Sequence, residues 1–338
     1  MPEGREIKIF GGSSGKDFAQ RMCDYIGTKL GKSEVFTFSD GNKFVKILET
    51  VRGKNVYLVQ PIGLKPNDEF TEILFWIDAF KRASANEVTI IIPYFGYAKG
   101  DKKDEPRVSI RARVCADAIE NIGADRVITM DLHSAQVQGF FRKPVDHLYA
   151  LPILCEYVRK RELVENLVVV SPDAGFAKAA REYANELGLT LAIGDKVRKD
   201  HSEKAEILNI VGDVEGKNAL IVDDFTISGG TIINIAQALK EKGAQKIYAC
   251  LSHIMLSKDG VNRLEDSNID LLISTDSVDN PHIWESNKIE IISAAPLFAE
   301  VITRIENNES VSVIFNQMPD VLIKEVKNTE INLLGANL

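Results

Sequence analysis

The sequence is poor in the features that mark several large classes of protein. Cysteine occurs only four times in 338 residues, as Cys23, Cys115, Cys155 and Cys250, with no CxxC pair and no histidine at metal-clamp spacing. That scatter argues against a disulfide framework and a cysteine zinc site, and leaves buried free thiols as the expectation. Long apolar runs are also missing. Stretches such as Val88 to Phe95 fall far short of the roughly 20 residues a membrane-spanning helix needs, and Met1 to Phe10 has no secretory hydrophobic core. No membrane partner is expected, and the chain reads as cytoplasmic. Basic charge is not in excess either: 41 Lys and Arg against 49 Asp and Glu give a formal charge of -8. A duplex-binding surface rests on neutralising phosphates with a basic face, so no nucleic-acid partner is expected. A small anionic ligand in a local basic pocket stays compatible with this balance. Short-period repeats and low-complexity tracts are absent as well.

What is present is a chain long enough for two ordinary cores, with 45% hydrophobic and 27% charged residues; two domains are the default and one long domain the alternative. Short β-branched runs alternate with helical patterns at Ile7 to Phe10, Val56 to Gln60, Val88 to Pro93, Val127 to Met130, Leu167 to Val170, Ala219 to Val222 and Ile247 to Leu251. Such alternation predicts an α/β fold with mainly parallel strands covered on both faces by helices. A weak internal echo supports two related halves: Ala118 to His133 and Ala238 to His253 share Ala, Gly-Ala, a basic residue, an apolar run and His at equal spacing. Each reads as a helix end, a glycine stop and a strand. The boundary is expected near Tyr149 to Pro152, dividing the chain into residues 1–149, 150–308 and a C-terminal segment 309–338.

The sharpest chemical signal is ALIVDDFTISGGT, Ala219 to Thr231, followed by a helical pattern. Loop amides and a helix N-terminus make an anion site, and glycines let the backbone approach a phosphate. Asp223 and Asp224 would repel a bare phosphate. They suit a ligand that also offers hydroxyls or a metal, as a sugar phosphate does, with Ser228, Gly229, Gly230 and Thr231 around its phosphate. The plainer reading is a tight strand-to-helix turn with an incidental acidic pair. Elsewhere, Pro93 to Asp104 (PYFGYAKGDKKD) leads into EPRVSIRAR with three arginines, which alone would pass for a solvated charge run, and His133 alone would pass for a structural histidine. GGSSGKD, Gly11 to Asp17, misses a nucleotide-binding Walker loop by one residue and lacks the Ser or Thr after Lys16.

Taken in order, these segments resemble the ribose-phosphate pyrophosphokinase (PRPP synthetase) family. The acidic pair with its Ser-Gly-Gly-Thr loop is similar to the family's loop for phosphoribosyl pyrophosphate, PYFGYAKGDKKD to its PYFGYARQDRKD, and Asp131 to Phe141 to its DLHA-x-Q-I-Q-GFF. VVVSPDAG, FTFSDG, KRASA and the closing ESVSVIF also match, so the resemblance spans roughly Ile7 to Phe315. It implies two similar phosphoribosyltransferase-like domains, with ATP and ribose 5-phosphate as substrates and Mg2+ as cofactor. It further implies His133 and Asp173 as metal ligands, Lys99, Lys196 and Arg198 as the catalytic cations, and Phe38, Asp40, Asn42 and Asp101 as nucleotide contacts. Asp223 and Asp224 would orient ribose hydroxyls while residues 228–231 cradle the 5-phosphate. A homo-oligomer, hexameric by resemblance, with allosteric phosphate or ADP between subunits, is implied too.

Four positions depart from that pattern. Asn42 stands for a glutamate, Lys99 and Gly100 for Arg-Gln, and Ile227 for an Asp or Ser. Lysine keeps a charge but loses the two-pronged geometry of arginine. An unpartnered ribose hydroxyl at Ile227 would cost about 1 to 3 kcal/mol, roughly ten- to a hundredfold in binding. The alternatives are therefore a catalytically impaired regulatory relative and, from another class, a phosphoribosyltransferase.

Overall fold

The computed structural model describes residues 6–198, 206–315 and 325–326. All seven predicted apolar runs are strands in an α/β fold built on two mainly parallel sheets. The first orders Ile7–Gly11, Asn55–Val59, Glu87–Ile92, Arg126–Met130 and Val145–Leu148 side by side, every pair parallel. The second centres on Leu167–Ser171, Asn218–Thr226, Ile247–Ile254, Leu271–Thr275 and Ile289–Ile292, again parallel. Its edges are antiparallel: Thr190–Arg198 folds against Glu206–Val211, and Ile289–Ile292 against Glu325–Val326.

The strands are apolar on both faces because helices cover both faces. Ile7 and Ile9 face one core while Phe10 faces another; in the second sheet Val169 opposes Val168 and Val170 in the same way. The core that holds Ile9 and Val169 also holds Leu154 from the helix Leu151–Lys160 and Phe298 from the helix Ala295–Glu306, so one apolar layer runs between the sheets. Phe18 meets Phe298 edge-on at 5.4 Å, and Glu306 accepts hydrogen bonds from Tyr57 Oη at 2.5 Å and Asn55 Nδ2 at 3.1 Å in the first sheet. The four cysteines are buried and unpaired, as expected. No helix of the described residues is long and apolar enough to cross a membrane.

The sequence echo is a structural one. The helices Arg111–Ile122 and Gly230–Glu241 each run into a left-handed glycine, Gly123 (φ 125°) and Gly243 (φ 87°), and then into the strands Arg126–Met130 and Ile247–Ile254. His253 is fully buried, and its Nε2 lies 3.1 Å from the carbonyl of Met130, so the two equivalent strand ends touch. One element outside both sheets went unread: the hairpin Ser33–Thr37/Lys43–Ile47, packed on the first core through Val35, Val45 and Ile47.

The near-miss Walker segment is a packing device. A Cβ on Gly15 would lie 2.0 Å from the Val59 carbonyl, so glycine lets the turn press on the strand end. Ser13 and Ser14 are then tied to carboxylates of the helix Pro66–Arg82: Ser13 N and Oγ donate to Glu72 at 2.7 and 2.5 Å, and Ser14 Oγ donates to Glu69 at 2.9 Å.

Candidate active site

Parallel α/β sheets gather their functional loops at the carboxyl ends of the strands, and the candidate residues His133, Asp173, Asp223 and Asp224 lie toward those ends here. Beyond Arg126–Met130 the chain turns sharply through Asp131, whose φ of 38° is unusual for a residue other than glycine. The turn is held from three sides. Asp131 Oδ2 accepts from Ala150 N at 2.9 Å and from Ser252 Oγ at 2.5 Å, and Leu132 N donates to His147 Nε2 at 2.9 Å. Burial pushes the Asp131 carboxyl up to about 6 and pulls His147 down to about 4, so His147 accepts that bond as a neutral ring near pH 7.

This turn presents His133, half exposed, to the second half of the chain. Its Nδ1 lies 2.8 Å from Asp224 Oδ2, and among the described residues no hydrogen bond engages Nε2. The bond to Asp224 raises the His133 pKa against the opposing effect of burial, and the charge of Asp101 adds to the rise. Asp224 also accepts from the amide of Phe225 at 2.9 Å, and its neighbour Asp223 accepts from Asp224 N at 3.0 Å. Burial, then the adjacent Asp224 charge, lift Asp223 to about 8, with Asp173 close enough to contribute. Lys99 sits at the end of the short turn Gly96–Lys99 with its ammonium 4.0 Å from the centre of the Phe225 ring; burial lowers its pKa and Asp224 opposes that shift.

The loop after Asn218–Thr226 closes on itself. Gly229 adopts φ 77° and donates to Thr226 Oγ1 at 3.1 Å, Gly230 N points to Ser228 Oγ at 3.4 Å, and the helix Gly230–Glu241 begins. Ser228 and Thr231 are exposed, leaving loop and helix start open to an anion. Asp173 stands in the turn after Leu167–Ser171, where Oδ1 accepts from Phe176 N at 3.1 Å. Lys196 and Arg198 fall on the last residues of Thr190–Arg198, opposite Leu208 and Glu206; residues 199–205, which follow, lie outside the described residues.

A cavity of about 530 Å³ opens between the halves, with Asp131, His133, Tyr149, Lys178, Glu182 and Asp224 among its walls. Lys178, Glu182 and Tyr149 went unmarked in the sequence, because single polar residues on a helix or after a strand look like any solvated surface. A second cleft, of about 400 Å³, takes Lys99, Gly100 and Arg111 from the first half and Ile227 and Met255 from the second. Ile227 thus faces the Lys99 side, half exposed, and does not enter the walls of the cavity around His133.

Phe38, Asp40 and Asn42 are not gathered with these groups. They occupy the exposed tip of the hairpin, where Gly41 (φ 91°) closes the turn and Asn42 donates from N and Nδ2 to the Asp40 carboxylate at 3.0 and 2.8 Å. The Asn42 backbone carbonyl accepts from Phe38 N at 2.8 Å, and among the described residues its side-chain Oδ1 takes no hydrogen bond. Phe38 packs edge-on against Phe36, whose ring also lies 4.8 Å from Phe44, an exposed aromatic group.

Among the described residues, no three His, Cys, Asp or Glu side chains are gathered as a ready metal centre. Magnesium does not need one, since it retains waters and binds through one or two carboxylates together with substrate phosphates. His133, oriented by a carboxylate on one nitrogen and, among the described residues, unbonded on the other, has the arrangement of a metal-binding histidine. The donor set fits a metal shared with a phosphate ligand.

Comparison with known proteins agrees with this geometry. Residues 7–123 match the N-terminal domain of ribose phosphate pyrophosphokinase, and residues 195–316 match the phosphoribosyl synthetase-associated domain. The ribose-phosphate pyrophosphokinase of Caldanaerobacter subterraneus is 46% identical over 309 residues, 91% of this chain and 98% of that protein. That of Chlorobaculum tepidum is 44% identical over 310 residues, 92% of this chain and 95% of its own. The crystal structure of phosphoribosylpyrophosphate synthetase from Mycobacterium smegmatis superposes with a TM-score of 0.84 at 33% identity, covering 90% of this chain and all of that one. With both sequence and fold matched over nine-tenths of its length, the chain belongs to the ribose-phosphate pyrophosphokinase family.

Proposed function

We propose that this chain transfers the β,γ-diphosphoryl group of ATP to the 1-hydroxyl of ribose 5-phosphate, yielding phosphoribosyl pyrophosphate and AMP. The observation that carries the reading is the 2.8 Å contact between His133 Nδ1 and Asp224 Oδ2, which joins the ATP-side motif of one half to the ribose-side motif of the other. In the reaction the ribose 1-oxygen bonds to the β-phosphorus, the bond from that phosphorus to the α–β bridging oxygen breaks, and the hydroxyl proton departs. Charge spreads over the transferred group and the leaving AMP, so fixed cations and positioning do most of the work.

Asp223 and Asp224 accept the ribose hydroxyls, and the amides and hydroxyls of Ser228, Gly229, Gly230 and Thr231 take the 5-phosphate. Lys99, Lys196 and Arg198 form the cationic clamp, Asp101 belongs to the same ATP loop, and Phe38, Asp40 and Asn42 take the base. His133 and Asp173 would hold Mg2+, which supplies positive charge to the ATP phosphates when bound. The division into residues 1–149, 150–308 and 309–338 as two phosphoribosyltransferase-like domains and a C-terminal segment belongs to the proposal. So do a homo-oligomer, regulation by phosphate or ADP, and a cytoplasmic location. An impaired regulatory role draws no support from the relatives, which carry the name of the enzyme.

The test is AMP release from ATP and ribose 5-phosphate by the pure protein with Mg2+ and inorganic phosphate. Turnover that needs ribose 5-phosphate and falls roughly a hundredfold or more in His133→Ala is expected. A silent protein that still gains thermal stability from ATP would overturn the assignment of activity.

A further inference from the structure

Gly100 is buried, with φ -94° and ψ 47°, a backbone that does not call for glycine. Space does. A Cβ placed there would lie 2.6 Å from Arg111 Nε and 2.9 Å from Arg111 Cβ, so any side chain at position 100 would displace the arginine. Arg111 opens the helix Arg111–Ile122, whose start is pinned to the same loop by Ala112 N donating to the Gly100 carbonyl at 3.1 Å. Arg111 lines the 400 Å³ cleft beside Lys99, and no carboxylate of the described residues lines that cleft. Among the described residues, neither a hydrogen bond nor an ion pair holds the Arg111 guanidinium, and Lys99 rests on Phe225 without a carboxylate partner. Although the charge of Asp224 reaches Lys99, two cations with no ion pair among the described residues, set around an open cleft, make a site for a polyanion.

We propose that Arg111 is a phosphate-binding residue for the polyphosphate tail of the nucleotide, reaching the ATP loop through the space left by Gly100. The assignment rests on the diphosphoryl-transfer reading above. It also gives a shared cause to two departures from the family pattern: Lys99 lacks the planar fork of arginine, Gly100 lacks a side chain, and the fork is supplied from the next helix instead. Ile227, on the opposite wall, contributes apolar cover rather than a polar contact, which lowers the local dielectric around the cations.

Titration of the full-length protein with ATP, inorganic tripolyphosphate and ribose 5-phosphate, alongside steady-state AMP release, tests this. Arg111→Gln is expected to weaken ATP and tripolyphosphate roughly tenfold in Kd and to raise the KM for ATP by a similar factor, with the KM for ribose 5-phosphate unchanged. Gly100→Gln alone should reproduce that loss by expelling the guanidinium, while Lys99→Arg, Gly100→Gln and Arg111→Gln combined should restore ATP binding. Melting temperatures of the variants establish that they are folded, and Arg111→Lys, which keeps the charge and loses the fork, should fall between. Unchanged ATP binding in Arg111→Gln overturns the assignment while leaving the function standing; an equal loss for ribose 5-phosphate overturns it in favour of a sugar-phosphate contact. A wild-type protein that neither binds ATP nor releases AMP removes the functional reading and this assignment together.

Discussion

Lys43 and Glu72 provide a test of how the hairpin that carries Phe38, Asp40 and Asn42 is held in place. Glu72 is fully buried and, among the described residues, receives four donors: Ser13 N at 2.7 Å, Ser13 Oγ at 2.5 Å, Trp76 Nε1 at 3.3 Å, and Lys43 Nζ at 3.2 Å from the second strand of the hairpin. Removing the two partners should therefore have unequal effects. In Lys43→Met the carboxylate keeps three donors and the methylene stem is replaced in kind, so the loss is one charge-assisted bond, about 1.5 kcal/mol. At about 2 to 4 °C per kcal/mol for a cooperative unit of about 150 to 250 residues, that is roughly a 3 to 6 °C fall in melting temperature. Glu72→Gln instead leaves a largely covered ammonium facing a neutral amide and removes one of the two acceptor oxygens that hold the Ser13 turn, a loss of about 3 to 5 kcal/mol and a fall of roughly 6 to 20 °C. Val35, Val45 and Ile47 keep the Lys43→Met hairpin docked, so the disturbance reaches the tip: the KM for ATP is expected to rise about tenfold with the KM for ribose 5-phosphate constant. Calorimetry and AMP release on both variants decide the matter. If Lys43→Met destabilises the protein as much as Glu72→Gln, the loop donors do not carry the carboxylate and the reasoning fails.

Two further perturbations probe the core between the halves and the turn that presents His133. Glu306→Ala removes the acceptor for Tyr57 Oη and Asn55 Nδ2 at a buried site; leaving both groups unpartnered should lower stability by about 3 kcal/mol, read as a melting-temperature loss that Tyr57→Phe in the same background partly reverses. Asp131 has a folded pKa of about 6, raised by burial above the ordinary carboxyl value, so its stabilising contribution is present below about pH 4 and lost as pH rises through 6. Asp131→Asn, which keeps the oxygen that accepts from Ala150 and Ser252 and suits a positive φ, should gain roughly 2 kcal/mol relative to wild type between pH 4.5 and 7.5, after discounting for the solvent contact of a partly buried group. Parallel stability curves for the two proteins across that range would refute the assigned burial effect.

The sheet strands were legible because burial on both faces writes itself into short, nearly continuous β-branched runs, and the echo around His133 and His253 was legible because a helix end, a left-handed glycine and a strand require the same residue types twice. The hairpin escaped notice since Phe36, Phe38 and Phe44 lie outside any buried alternation, and Ser33–Thr37 has only one partner strand to pack with. Thr190–Arg198 and Glu206–Val211 escaped for a related reason: an edge hairpin need not be apolar on both faces.

The motifs named candidate residues one by one but not their pairings. His133 and Asp224 are 91 positions apart, and their motifs name the residue types without saying which atom meets which; with Asp173 and Asp224 both available, only the fold shows that His133 Nδ1 turns to Asp224. The charged residues that read as solvated were misleading for the opposite reason. Glu72 sits in a run, TEILFWID, whose apolar neighbours would be satisfied with the carboxylate on the outer face, yet four donors draw it inside. Arg111 is one of three arginines in nine residues and looked like a charge run, until the empty side-chain volume of Gly100 gave its guanidinium a place to go. A long-range contact made by a side chain fills a volume vacated by another residue, so the departures at positions 99 and 100 are interpretable only together with a residue eleven positions away that no local motif connects to them.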